Sequence, residues 1–416
     1  MFGFCKPVSS KKRFLPKRKI NEVYAFTLFE KAAMIPAEEW DAITKKQSIF
    51  LERDYLALIE HCGYTRLNCR YALIYAGNKP CGLVYFQIAD FKAGVFGDLL
   101  SNQVDAIKST RLHLFEKYID SNKNEVLLRL FTCGNNLVSG EYGFLFDKKI
   151  KDKEAHAVLL ELIDIVSKEE KLKGSISAVL IKDFHTPLKP AALFEEEKYN
   201  DFLVEPNLVV DIPEGVHTLE EYIALFSKKY RNRAKAIFKS FEGIEVKELQ
   251  LEEIKAREKE LYHLYLQIFE QAKFKLIQLP ENYFSAVKAM YPEQFRVKGF
   301  FLDGALVAFG SCFVKENGCL EAHYIGLNYA LNNTHNLYQN MLYAMIGEAL
   351  NSGLQHVNLG RTAAEIKTTV GAKPVDLICY IKPQNTISRI IQKPFIAFLQ
   401  PGEWTPRNPF KEGGTV

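Results

Sequence analysis

The sequence predicts an α/β protein in which a mixed sheet with flanking helices is built twice along the chain. Two segments of alternating apolar residues fold back on themselves at hairpin turns: RYALIYAGNKPCGLVYFQI from Arg70, around Gly77 to Pro80, and RVKGFFLDGALVAFGSCFV from Arg296, around Asp303-Gly304. Each hairpin is then followed by the same order of strand, loop, helix and strand. The 416 residues, 48% hydrophobic and 25% charged, suit two or three folded domains.

Residues 1–20 form a basic arm, MFGFCKPVSSKKRFLPKRK, with Lys6, Lys11, Lys12, Arg13, Lys17, Arg18 and Lys19 and no acid. Charge interrupts every apolar run in it, so it is no secretory signal. It is either a solvated arm or a contact for an anionic membrane surface, with Phe2, Phe4 and Phe14 able to insert. Residues 21–213 make the first α/β domain. After its hairpin come a strand EVLLRLFTCGN, a loop LVSGEYGFLFD, a helix HAVLLELIDIVSKEE and a strand SISAVLIKDF. Its glycines Gly134, Gly140 and Gly143 lack the Gly-Lys-Ser/Thr of a nucleotide-binding loop and read as a turn.

The joint falls at VVDIPEG, where Pro213 and Gly215 end a strand, and residues 214–383 form the second domain. It opens on TLEEYIALFSKKYRNRAKAIFKSFEG, read as one helix with Tyr222, Leu225, Phe226, Tyr230, Ile237, Phe238 and Phe241 on its apolar side. Its other side carries Lys228, Lys229, Arg231, Arg233, Lys235 and Lys239. Such a run is often a solvated face, but like charges without acid partners also favour an anionic ligand. Past the second hairpin come a strand CLEAHYIGLN, a loop YALNNTHN, a helix LYQNMLYAMIGEALNSG and a strand HVNLG. Residues 384–416, with Phe395, Phe398 and Trp404, are read as a strap on the core, with membrane contact as the alternative.

The composition also excludes classes. A net charge of +4 gives no support for DNA binding. No apolar run reaches the roughly 20 residues a membrane-spanning helix needs. The eight cysteines form no CxxC pair, and the nine histidines show no metal-ligand spacing, so a reducing cytoplasm and no bound metal are expected.

Strand alternation in CLEAHYIGLN sends Glu321 and His323 to one face and Ala322 and Tyr324 to the other. Imidazole with a carboxylate to hold its tautomer makes a general base; a solvent-exposed polar pair is the plainer reading. The helix from Leu337 starts after Asn333, Thr334 and Asn336, which could be ordinary caps or the edge of a phosphate site. Strand HVNLG ends on Gly360, beside Arg361, Thr362 and, further on, Lys367, a cationic group at a strand end where ligands of open α/β sheets gather.

Taken together, CLEAHYIGLN, the helix after it, LGRTAAEIKTTVGAKP and the SKKYRNRAKA helix resemble the FemAB-like branch of the GNAT acyltransferases, as does CGNNLVSGEYGFLFD in the first half. The resemblance spans roughly Trp40 to Pro383. It implies tandem GNAT-like domains whose sheet splays beside CLEAHYIGLN, admitting the pantetheine arm of a thioester donor. It also implies a donor site on Tyr324, Asn328, Asn336, Arg361, Thr362 and Lys367, and direct attack by an amine with Glu321 and His323 as base. Lys228, Lys229, Arg231 and Arg233 would meet an anionic substrate. No Gln/Arg-x-x-Gly-x-Gly/Ala loop follows the strand, which leaves acyl-CoA, acyl carrier protein and aminoacyl-tRNA open as donors, with no tightly bound cofactor. A cytoplasmic enzyme acting on an amino acid or lipid precursor, peripheral to the membrane, is the expectation. A Fem-type peptidyltransferase and a non-catalytic module are the rivals. The reading requires that strand to part from its neighbour.

Overall fold

The computed structural model describes residues 15–44, 48–61, 67–92, 121, 126–172, 174–185, 191–272, 277–315 and 317–411. The arm residues Lys6, Lys11, Lys12 and Arg13, with Phe2, Phe4 and Phe14, lie outside them. Of the rest of the arm, Arg18 is paired with Glu169 and Lys19 with Glu22.

The described strands are β1 (Arg18–Lys19), β2 (Tyr24–Phe29), β3 (Leu67–Ala76), β4 (Lys79–Lys92), β5 (Val126–Cys133), β6 (Phe144–Phe146), β7 (Ala178–His185), β8 (Asn200–Asp211), β9 (Ile244–Glu248), β10 (Phe295–Leu302), β11 (Ala305–Val314), β12 (Cys319–Leu327), β13 (His356–Asn358) and β14 (Lys373–Pro383). They form one sheet in the order β1-β2-β3-β4-β5-β7-β14-β8-β13-β12-β11-β10-β9, with β6 paired to β4. The sheet is mixed: β5–β7 and β12–β13 are parallel and the other described pairs are antiparallel.

The repeated plan read from the sequence is present. Hairpin β3–β4, strand β5, helix Asp152–Leu172 and strand β7 correspond in order to β10–β11, β12, helix Leu337–Asn351 and β13. The last strand of each half lies against the other half, because β8 pairs with β13 while β14 pairs with β7. Spacing explains the helix packing. Val158, Leu159, Leu162, Ile163 and Val166 recur at three- and four-residue intervals and are buried in one cluster with Phe86, Phe131 and Phe184.

Three local readings change. The basic segment is two helices, Leu219–Ala224 and Lys228–Lys239. The C-terminal tail enters the break: Ser227 N donates to Pro409 O at 2.7 Å and Phe410 pairs with Phe226. The expected loop YALNNTHN is largely the helix Tyr329–His335, capped by Asn328, whose Oδ1 accepts from Ala330 N at 3.0 Å. Strand β12 does not alternate cleanly, as described below.

Gly326 on β12 shows how closely the halves of this layer approach. A Cβ there would lie 2.4 Å from the Phe309 ring and 2.6 Å from the backbone of Leu264 and Tyr265 in helix Glu258–Gln271. Gly326→Ala is therefore expected to cost about 1–3 kcal/mol or more in chemical denaturation. Gly347→Ala, in a helix with open space around it, should instead gain about 0.5–1 kcal/mol.

Candidate functional site

The ladder between β12 and β13 contains Cys319–His356, Leu320–Val357 and Glu321–Asn358, and then stops. Beyond it β12 runs on to Leu327 paired only to β11, while β13 ends and the chain turns at Gly360. The strands therefore form a fork. Glu321 clasps its apex: Asn358 Nδ2 donates to Oε1 at 2.9 Å and the Lys315 ammonium sits 2.6 Å from Oε2. Burial disfavours the Lys315 charge, but Glu321 more than offsets it and the lysine pKa rises.

The fork opens into a cleft of about 830 Å³. Its lining includes Glu321, His323, Tyr324, Asn336, Arg361, Thr362 and Lys367, so those predicted residues converge on one space. Asn328 is not part of the lining. A β-bulge brings His323 and Tyr324 in together. Gly310 faces Ile325 and Cys312 faces Ala322, so Ser311 alone opposes His323 and Tyr324. Ser311 Oγ donates to Tyr324 O at 2.8 Å and accepts from Tyr324 N at 3.1 Å. The period-two reading of this strand fails at that bulge.

The expected Glu321–His323 pair is not formed, because the Glu321 oxygens are taken at the apex. His323 Nε2 meets the Tyr283 hydroxyl instead, at 2.7 Å. Burial, assisted by Lys315, pushes the His323 pKa down to about 3, so the ring is neutral above about that pH. Lys367 is also buried, its ammonium donating to the carbonyls of Gly360 (3.2 Å) and Arg361, and burial lowers its pKa to about 7 while Glu205 acts the other way. These contacts hold a backbone with positive φ at Gly360, Thr362 and Ala363. Such a conformation is unfavourable for a β-branched threonine.

The far wall of the fork is the start of helix Leu337–Asn351. Asn332 Oδ1 accepts from Tyr338 N at 2.9 Å, whereas the N–H groups of Leu337 and Gln339 in the same turn have no intrahelical acceptor. The basic helix stands outside this cleft. Lys229 and Arg233 line a separate pocket of about 350 Å³ with Glu365 and Arg407, Arg231 donates to Phe226 O, and Lys228 is exposed.

The N-terminal half supplies Phe50, Asn136, Leu137, Val138, Ser139 and Lys182 to the lining. Its loop is tied to the second half by Tyr324 Oη donating to Leu137 O at 2.6 Å and Lys315 Nζ donating to Tyr142 Oη at 3.1 Å. Behind it, Lys182 and Asp183 occupy a bulge of β7 opposite Cys379, with Asp183 at φ 67° and fully buried. Arg361 pairs with Asp183, and with Lys182 it holds the Asp183 pKa below the usual carboxylate range despite burial. The sequence reading missed Asp183 and Lys182, although adjacent charges within the apolar run AVLIKDF were a signal. Nothing local marked Tyr283 or Lys315.

The fold has known counterparts. FemX superimposes with a TM-score of 0.50 at 11% identity over 86% of this chain and 98% of FemX. A tandem GNAT protein from the clavulanic acid biosynthesis pathway gives 0.47 at 8% identity over 86% and 98%, and L-PGS from Bacillus licheniformis gives 0.45 at 14% over 88% and 97%. The sequence matches no protein-family profile and no curated protein. The chain thus shares its mixed α/β, FemAB-like fold with FemX.

A ¹⁵N-lysine titration tests the environment of the cleft. The Lys367 Nζ signal should titrate near pH 7, well below the ordinary lysine value of about 10.4. A Lys367 midpoint above about 10 would mean that water reaches it freely.

Proposed function

We propose that the chain is an N-acyltransferase with one donor site, in its C-terminal half. The observation that carries this reading is the fork, because a parted strand edge offers backbone donors and acceptors to an amide-bearing chain such as pantetheine. Phosphates of the donor would lie at the start of helix Leu337–Asn351, where the helix dipole favours negative charge. The corresponding place in the N-terminal half is closed: β5 pairs with β7 from Leu130 through Cys133, its last residue. There the loop that follows β5 serves as a wall of the other half's cleft.

In the reaction an amine nitrogen attacks the thioester carbonyl. The C–N bond forms, the C–S bond breaks, and the proton lost by nitrogen ends on the departing sulfur as a thiol. His323, neutral and steadied by Tyr283, is the relay between the two rather than a charged acid or a strong base. Acyl-CoA and acyl carrier protein are the donors this arrangement suits.

A second reading has its own support. Lys228, Lys229, Arg233, Lys235 and Lys239 are exposed and have no carboxylate partner among the described residues, which suits a donor on a polyanionic carrier such as aminoacyl-tRNA. Thiol release from acyl-CoA with an amine present tests the first reading. His323→Ala should lower kcat about 10²–10⁴-fold, measured below its Tm because the ring packs against Phe50, Tyr283 and Phe313. Unchanged turnover in that variant removes His323 from the reaction. Release of acyl groups from aminoacyl-tRNA, falling steeply with salt, and none from acyl-CoA would favour the second.

A further inference from the structure

The seam between the halves carries charge that acyl transfer does not use. The side chains of Lys182 and Asp183 are 8% and 0% exposed, and Arg361 reaches Asp183 from beyond β13. Lys182 is fully committed, lying 2.7 Å from Asp183 Oδ2 and donating to the carbonyls of Asn135 and Val138 at 2.8 Å each. Two cations thus surround one buried carboxylate. Lys367 adds positive character nearby, and the partly buried Glu205 on β8 acts on both Lys367 and Arg361 with the opposite sign. With Lys367 charged, three cations face two carboxylates; because burial lowers the Lys367 pKa to about 7, that excess is partial at neutral pH, and charge in a poorly hydrated place is costly unless an anion meets it.

The same seam holds buried polar atoms with no protein partner. Arg361 Nε, Asn207 Nδ2 and Asn136 Oδ1 are among them. Arg361 and Asn136 line the cleft. Asn207, 1% exposed, is joined to the lining through Ser139, whose Oγ donates to Asn207 Oδ1 at 2.7 Å. Asn207 sits just after a second bulge, where Glu205 and Pro206 on β8 oppose Asp376 alone. Buried amide and guanidinium groups normally find partners, and these three have none in the protein.

We propose that this cluster binds a carboxylate of the acceptor, so that the amine acylated here belongs to a carboxylate-bearing molecule such as an α-amino acid or a peptide end. The inference rests on the acyl-transfer reading above and names the substrate class of that same cleft. Arg361 Nε and Asn207 Nδ2 are donors suited to a carboxylate, and Asn136 Oδ1 is an acceptor suited to an N–H. An excess of at most one charge fits a monoanion better than a phosphate. The cluster is also built on β7, β8 and the first-half loop, whereas the helix start that suits donor phosphates belongs to the second half.

The test uses the full chain and matched amines with and without a carboxylate: glycine against methylamine, L-phenylalanine against phenethylamine, L-lysine against cadaverine. Thiol release from acetyl-CoA and from a longer acyl-CoA is measured for each. For at least one pair kcat/KM should be about 10²-fold higher for the carboxylate member, since buried polar groups are left unpaired by its analogue. Asn207→Asp, which places a competing anion in the cluster, and Arg361→Lys should each reduce that preference about tenfold or more, with Tm checked and KM for acyl-CoA unchanged. Equal kcat/KM within every pair overturns the carboxylate site and leaves acyl transfer standing. A rise in the acyl-CoA KM for Arg361→Lys without loss of amine preference also overturns it, because the cluster then serves donor phosphate. If no amine releases thiol, acyl transfer itself fails and the site is decided by Tm alone. A rise with the carboxylate members only, lost in Asn207→Asp, supports it, and no such rise overturns it.

Discussion

Between β12 and β13 the backbone ladder ends at Glu321–Asn358, and the chain beyond must be kept apart against the tendency of exposed strand edges to pair. Several features hold it open. Glu321, Lys315 and Asn358 lock the apex, and Asn358 Oδ1 also accepts from Gly360 N at 2.9 Å, which turns β13 away just after its last pair. Lys367 then fastens the turned loop through the carbonyls of Gly360 and Arg361. On the other prong, Gly326 lets helix Glu258–Gln271 press against β12 without a side chain between them. Without the parted strands there is no cleft, and the polar groups gathered around it would have no common space to face.

Three of the sheet's irregularities lie at or near that cleft, while others, at Ile74–Tyr75, Phe91–Lys92 and Phe300–Phe301, lie away from it. Bulges occur on β12 at His323–Tyr324, on β7 at Lys182–Asp183 and on β8 at Glu205–Pro206. Each re-aims side chains that a regular pleat would send to opposite faces. The two halves, built on one plan, have taken unlike tasks. The first has its parallel pair zipped to the end of β5 and offers its loop, tied down by Lys182, as a wall. The second keeps its pair open.

The hairpins, the repeated order of elements and the gathering of Arg361, Thr362 and Lys367 at a strand end were legible because they depend on local alternation, turn residues and strand ends. Other features depend on partners distant in sequence. His323 is oriented by Tyr283, forty residues before it, and not by Glu321 two residues away. The break in the basic segment comes from the tail near Pro409, which no periodicity around Ser227 reports. Arg361 reads locally as a free cation, yet its partner Asp183 lies in the first half. A bulge, likewise, is set by the count of residues on the facing strand, so the alternation of CLEAHYIGLN alone could not disclose it.

Amide hydrogen exchange with coenzyme A as probe tests the open fork most directly. If the parted edge of β12 is the donor site, added coenzyme A should slow exchange at residues 322–325 and at the start of helix Leu337–Asn351, and leave residues 130–133 of β5 unchanged. Exchange at 322–325 that is unaffected by coenzyme A, or protection confined to 130–133, would contradict the account.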